Sequence, residues 1–133
     1  MNEDLSFKEG DFGFIKYKST NPFEFFHILN ELDNLPEQDL EGWLLFPEEG
    51  KKPFSCMVCV HHSGGWGAAQ YEMIKDILES GIAVFQVNSF ESRGVTSTSE
   101  EQMAVTTAMI LADAFEPLTF LSKHPDIDKN KIG

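Results

Sequence analysis

Three runs of apolar residues mark out buried strands in the middle of the chain. Segments 42–46, 54–60 and 82–88 are apolar almost throughout and carry little polar alternation. This pattern indicates strands that are covered on both faces, as in a parallel sheet flanked by helices. Phe12, Phe14, Ile15 and Tyr17 lie among charged residues and predict a further, irregular strand.

Apolar residues at helical spacing predict three helices. The segment 21–35 has Asn21 as an N-cap and Pro22 in the first turn. A stripe of apolar residues predicts a second helix over 68–80, which ends near Gly81. Ser99 and Gln102 form a capping box that predicts the start of a long third helix. Pro117 should kink or break that helix. The stripe residues are Tyr71, Ile74, Ile77 and Leu78 in the second helix, and Met103, Thr107, Ile110, Ala114, Leu118 and Leu121 in the third.

The order of these elements predicts the fold class. Strands that alternate with helices are typical of an α/β domain with a mostly parallel sheet. We divide the chain into an N-terminal extension with a short helix, residues 1–39, and the α/β domain, residues 40–133. The segment 123–130 is interpreted as a loop, and residues 131–133 as the first residues of another apolar element.

The acidic composition narrows the classes of partner. The chain has 22 Asp and Glu residues against 10 Lys and Arg residues, a formal net charge of −12. This charge repels phosphates and anionic lipids, so nucleic acid and membranes are not expected partners. We see no signal peptide, and no run approaches the roughly 18 apolar residues of a membrane span. Two cysteines do not make a disulfide framework, which favours a cytoplasmic protein.

A glycine-rich loop, residues 61–67 with the sequence HHSGGWG, follows the strand 54–60. It lacks the third glycine of a dinucleotide fingerprint and the lysine of a P-loop. His61 and His62 are adjacent on an extended chain and point to opposite faces, so no metal site is predicted. The same argument applies to Cys56 and Cys59, which are interpreted as packed thiols.

The position of the glycine-rich loop makes it a candidate site. Ligands of open α/β sheets bind at the carboxyl ends of the strands. Ser63 is interpreted as a turn residue, because it is not in a G-x-S-x-G motif. Glycines also allow backbone N–H groups to approach a substrate and stabilise an oxyanion. On the loop alone, an oxyanion site and a tight strand-to-helix turn explain the glycines equally well.

Four segments together resemble the dienelactone hydrolase family of the α/β-hydrolase superfamily. They are EGWLLFP, VCVHHSGGWG, VNSFESRGV and LSKHPDIDKNKIG, in the order and at the spacing of the family, over roughly residues 40–133. The resemblance implies that the chain is the N-terminal half of an α/β-hydrolase fold and stops before the nucleophile elbow. It contains no G-x-S-x-G and no G-x-C-x-G. No catalytic nucleophile, acid or histidine is therefore assigned in this segment.

The same resemblance implies roles for four residues. Ser63 and Gly64 correspond to the oxyanion loop. Trp66 would line the acyl pocket or pack as a lid over the helix. Arg93 would bind a substrate carboxylate or hold its own acidic loop through Glu91 or Glu100.

The implied activity is hydrolysis of a carboxylic ester or lactone by a Ser or Cys nucleophile beyond residue 133, without a cofactor. The segment alone should be inactive. The alternative is a non-catalytic α/β module that binds a partner or a small molecule. Without the elbow strand, the strand 54–60 would be an open sheet edge, which predicts self-association.

Overall fold

Residues 1–133 are all described by a computed structural model of the chain, which contains five strands and four α-helices. In chain order these are β1 (Gly13–Thr20), α1 (Phe25–Asn30), β2 (Glu37–Leu45), β3 (Phe54–Cys59), α2 (Ala68–Glu79), β4 (Ala83–Asn88), α3 (Thr107–Phe115), α4 (Pro117–Leu121) and β5 (Ile127–Ile132). Short 3-10 helices cover Leu32–Asn34 and Glu91–Arg93. No helix combines the length and the apolar character that crossing a membrane requires.

The five strands form one mixed sheet in the order β1-β2-β4-β3-β5. Strand β3 is parallel to β4 and to β5, whereas β2 is antiparallel to both β1 and β4. The α/β class is therefore confirmed, but the prediction of a mostly parallel sheet is wrong. The difference comes from β1 and β2, which add an antiparallel ribbon to the parallel strands.

Strand β5 covers the edge of β3. The Phe54 N–H donates to the Asp126 carbonyl at 2.8 Å, and the Val58 N–H donates to the Gly133 carbonyl at 2.7 Å. The expectation of an open edge at 54–60 is therefore wrong, as is the loop predicted up to residue 130. The polar residues that suggested a loop lie on the outermost strand, where their side chains are mostly exposed. Self-association through a sheet edge stays a prediction.

The N-terminal segment is part of the same sheet. Strand β1 pairs with β2 along its whole length, from Gly13 opposite Leu44 to Thr20 opposite Glu37. The predicted division at residue 39 lies inside β2 and does not correspond to a structural boundary. Helix α1 begins at Phe25, later than predicted, because the Asn21 side chain is not available as a cap. It bonds instead to Gln38 and Arg93.

The main hydrophobic core lies between one face of the sheet and α4. Phe120 of α4 is fully buried, and its ring lies 5.4 Å from that of Tyr17 and 5.6 Å from that of Phe85. Gly42 of β2 makes room for the Phe85 ring, since a Cβ at this position would lie 2.5 Å from the ring. Helix α2 contacts β4 and buries Ile74, outside this core.

The third predicted helix is divided and starts late. The break at Pro117 is confirmed, since α4 begins there with proline in its first turn. The start at Ser99 is wrong, because the N-cap of α3 is Thr106, which accepts a hydrogen bond from the Met109 N–H at 3.4 Å. Met103 was expected on the buried stripe of this helix. It lies before the start of α3 and lines a cleft, where its side chain is 64% exposed.

Candidate active site

His61 is the first residue of the glycine-rich loop, and its side chain links the end of β3 to the end of β4. Its ring is buried against Phe90, with the ring centroids 4.2 Å apart. Nε2 accepts a hydrogen bond from the Ser89 N–H at 3.1 Å, so Nδ1 carries the proton and donates to the His62 carbonyl at 3.0 Å. Both ring nitrogens are used in structural hydrogen bonds. Burial lowers the pKa of His61 from its ordinary value.

The lowered pKa of His61 predicts a loss of stability in acid. The folded state binds fewer protons than the unfolded state, so the contribution of His61 is complete above the unfolded pKa of 6.5 and declines as pH falls through the lower folded pKa. We expect the free energy of unfolding in urea to decrease more between about pH 7 and pH 5 in the wild type than in His61→Gln. Equal slopes in the wild type and His61→Gln would contradict this assignment.

Ser63 and Gly64, the two predicted oxyanion donors, are placed differently. The Ser63 carbonyl accepts hydrogen bonds from the Thr98 N–H at 2.8 Å and the Ser97 hydroxyl at 3.0 Å. The Ser63 N–H makes no hydrogen bond within the protein. In contrast, the Gly64 N–H donates to Nδ1 of His62 at 2.8 Å. One of the two predicted donors is therefore free, and the other is engaged by its own loop.

Gly65 closes the turn of the glycine-rich loop. Its φ of +76° lies in the left-handed region, which favours glycine. The Gly65 N–H donates to the His62 carbonyl at 2.9 Å. At least this glycine is required by the tight turn, which is one of the two explanations that the sequence left open.

Trp66 precedes helix α2, and its ring packs against that helix. Its indole N–H donates to the Val87 carbonyl at 2.7 Å, and its ring stacks on Tyr71 with the centroids 6.2 Å apart. It lines a second cleft of about 590 Å³, which also contains Trp43 and Gln86. Of the two roles considered for Trp66, packing over the helix agrees with these contacts.

Arg93 is a buried structural residue in this arrangement. Its side chain is 6% exposed and forms a bidentate ion pair with the fully buried Asp113, at 2.6 and 3.0 Å. The guanidinium also donates to the Ser89 and Thr20 carbonyls and to the Asn21 side chain. All five N–H donors are thus used, and none is left for a substrate carboxylate. The counter-charge is Asp113 rather than Glu91 or Glu100.

A cleft of about 850 Å³ opens beside Ser63, and we call it the aromatic cleft. One wall is α1 with the residues before it, a second is the start of the glycine-rich loop, and the third is the segment 98–110. Its lining residues include Phe23, Glu24, Phe25, Phe26, His61, His62, Ser63, Thr98, Gln102, Met103, Val105 and Thr106. The volume is that of a typical small-molecule site. The sequence did not assign the phenylalanines of this wall to a site, although "NPFEFF" placed them together.

The chain contains no paired nucleophile and base. No serine or cysteine side chain is hydrogen-bonded to a histidine, and both nitrogens of His61 are occupied. Burial raises the pKa of Cys56 to about 12, which disfavours its thiolate. No three side chains of His, Cys, Asp or Glu lie close enough to hold a metal ion. The site therefore offers a cleft and a backbone donor, but no complete catalytic group.

The architecture is similar to that of a solved structure. It aligns with a TM-score of 0.56 to a crystal structure described as "Putative Dienelactone Hydrolase from Klebsiella pneumoniae subsp. pneumoniae MGH 78578". The two chains share an α/β fold. The match covers 90% of this chain and 48% of that one, at 12% sequence identity, so the chain spans about half the length of that protein. At this identity the likeness concerns the fold alone. No protein-family model and no curated protein matches the chain.

Proposed function

We propose that the chain is the N-terminal half of a hydrolase that cleaves a carboxylic ester or lactone. The observation that carries the proposal is the free N–H of Ser63. This residue lines the aromatic cleft at the carboxyl end of β3. The fold of the Klebsiella protein supports the hydrolase class. The proposal assigns a Ser or Cys nucleophile to the continuation of β5 beyond Gly133.

The pairing of β5 supports this placement of the nucleophile. Gly133 donates its N–H to the Cys56 carbonyl at 3.0 Å, so β5 runs beside β3 up to this residue. Strands rise about 3.3 Å per residue, so a continuing strand would reach the level of the glycine-rich loop within a few residues. A nucleophile there would stand beside Ser63.

The chemistry follows from these positions. The nucleophile attacks the carbonyl carbon, the carbonyl oxygen becomes negative, and the Ser63 N–H donates to that oxygen. The tetrahedral intermediate collapses, the ester C–O bond breaks, and the alkoxide oxygen takes up the proton that the nucleophile gave up; in a lactone this alcohol stays attached to the acyl group. Water then hydrolyses the acyl-enzyme, which frees the acid and returns a proton to the nucleophile. Loss of one oxyanion donor costs about 2.7–4 kcal/mol of transition-state stabilisation.

A binding module without catalytic activity is the second candidate. The absence of a paired nucleophile and base among residues 1–133 favours it. In that case the aromatic cleft would hold a small molecule without cleaving it.

The natural gene product tests the two candidates. We expect its mass to exceed 15.0 kDa, the mass of these 133 residues. We also expect a fluorophosphonate or iodoacetamide probe to label it beyond Gly133, and p-nitrophenyl acetate to be hydrolysed. The 133-residue chain, whose free thiols are Cys56 and Cys59, should not react with the fluorophosphonate. A natural gene product of 15.0 kDa that the fluorophosphonate does not label would favour the binding module.

A pair of substitutions at Ser63 then tests the oxyanion role in that natural product. Ser63→Pro removes the backbone N–H, and we expect kcat to fall about 10²–10³-fold. Ser63→Ala keeps the N–H and should retain nearly full activity. Unfolding curves of both variants show whether proline disturbs the fold. Equal activity of the two folded variants would rule out the Ser63 N–H as the donor.

A further inference from the structure

Several large apolar side chains that line the aromatic cleft are exposed to solvent. Helix α1 has no buried residue, and Phe25 and Phe26 are 54% and 57% exposed. Met103, on the opposite wall, is 64% exposed. Contiguous apolar surface of this kind is unfavourable in water and marks a binding site in many proteins. The side chains therefore indicate an apolar ligand.

The aromatic cleft contains negative charge and no cationic Lys or Arg side chain. Glu24 is the one carboxylate in its lining, and Glu100 and Glu101 lie in the segment that forms the third wall. The nearby cation, Arg93, has its charge balanced by Asp113 and its donors occupied. A ligand with a carboxylate would find no Lys or Arg to pair with, and the net charge of −12 would repel it.

We propose that the aromatic cleft binds an uncharged ligand with an aryl or alkyl group and rejects carboxylates. This inference takes the ester as substrate from the proposed function, and it assigns the substrate class: neutral, apolar esters or lactones. The apolar group packs between α1 and Met103, which places the ester carbonyl near the Ser63 N–H.

The test compares two ligands of equal shape. 4-Phenylbutanamide and 4-phenylbutanoate differ in charge but share a carbon skeleton, and neither is an ester. Their binding to the natural gene product is measured at about pH 8 by NMR titration, with backbone shifts followed at Ser63 and in α1. We expect the amide to bind at least about tenfold more tightly than the carboxylate. Glu24→Gln should narrow that difference.

Matched phenylalanine variants locate the site. Phe26→Ala should weaken binding of the amide at least about fivefold. Phe12→Ala removes a ring that is more exposed, at 75% against 57%, and that lies just before β1, outside the cleft; it should leave binding unchanged. Because Phe26 is exposed, its removal should not unfold the protein, and Phe25→Ala provides a second variant.

The outcomes separate this inference from the proposed function. Absence of amide binding, equal or tighter binding of the carboxylate, or equal effects of Phe26→Ala and Phe12→Ala would each overturn the ligand class. These results do not depend on hydrolysis. A further outcome is a natural gene product that binds the amide selectively and yet is labelled by no nucleophile probe. That result would support a neutral, apolar ligand and reject the hydrolase activity.

Discussion

Asp113→Ala should lower the free energy of unfolding by about 3–5 kcal/mol, the cost of removing one partner of a buried ion pair. The Arg93 guanidinium would remain buried without its counter-charge. Asp113 also accepts a hydrogen bond from the Ser19 hydroxyl at 2.6 Å, and its own carbonyl accepts one from the Tyr17 hydroxyl at 2.8 Å. Burial raises the pKa of Tyr17, which therefore stays a neutral donor. Urea unfolding at about pH 7 measures the loss.

Two further variants isolate the reason for that loss. Glu79→Ala breaks an exposed pair with Lys75, 3.9 Å apart, and should change stability by less than about 1 kcal/mol. The double variant Asp113→Leu with Arg93→Met replaces the buried pair by apolar side chains and should recover part of the loss. If Asp113→Ala lowers the free energy of unfolding no more than Glu79→Ala does, the ion pair between Arg93 and Asp113 does not stabilise the fold.

Phe120→Ala should also cost about 3–5 kcal/mol, because it leaves a cavity between α4 and the sheet. The Phe120 ring is fully buried and contacts aromatic rings from three other parts of the chain, at Phe7, Tyr17 and Phe85. Phe115 of the preceding helix provides the control, since it is 61% exposed.

The measurement is the midpoint and slope of urea unfolding for both variants. Phe115→Ala should shift stability by about 0.5 kcal/mol or less. Similar losses in the two variants would mean that α4 does not pack on the sheet as described. An unchanged slope would show that the denatured state is the same in each protein.

The sequence was sufficient to predict those elements whose burial leaves a clear apolar pattern. Strands β3 and β4 and helix α2 were predicted close to their observed bounds, because continuous burial leaves a clear pattern. Strand β5 and the first half of β2 were missed, since their polar residues lie at exposed positions. Asp39, for example, lies opposite Lys18 of β1, and this pairing with a neighbouring strand is information that a local pattern does not contain.

The same distinction explains what was predicted of the site. The position of Ser63 at the carboxyl end of a central strand followed from the order of the elements. The partner of Arg93 did not, because Asp113 lies on α3 and reaches the ion pair only through tertiary packing. Likewise, α1 has no buried residue, and the place of Phe25 and Phe26 in the aromatic cleft depends on tertiary packing that the sequence pattern does not contain.

The Arg93–Asp113 pair has a consequence for the thermodynamics of ligand binding. The pair holds the two residues that flank the segment 94–112. The Ser63 carbonyl also binds this segment near its N-terminal end, through the Thr98 N–H. The wall of the aromatic cleft therefore gives up its conformational freedom when the protein folds. A ligand that enters later meets a surface that is already ordered, and less of its interaction energy is lost in arranging that surface.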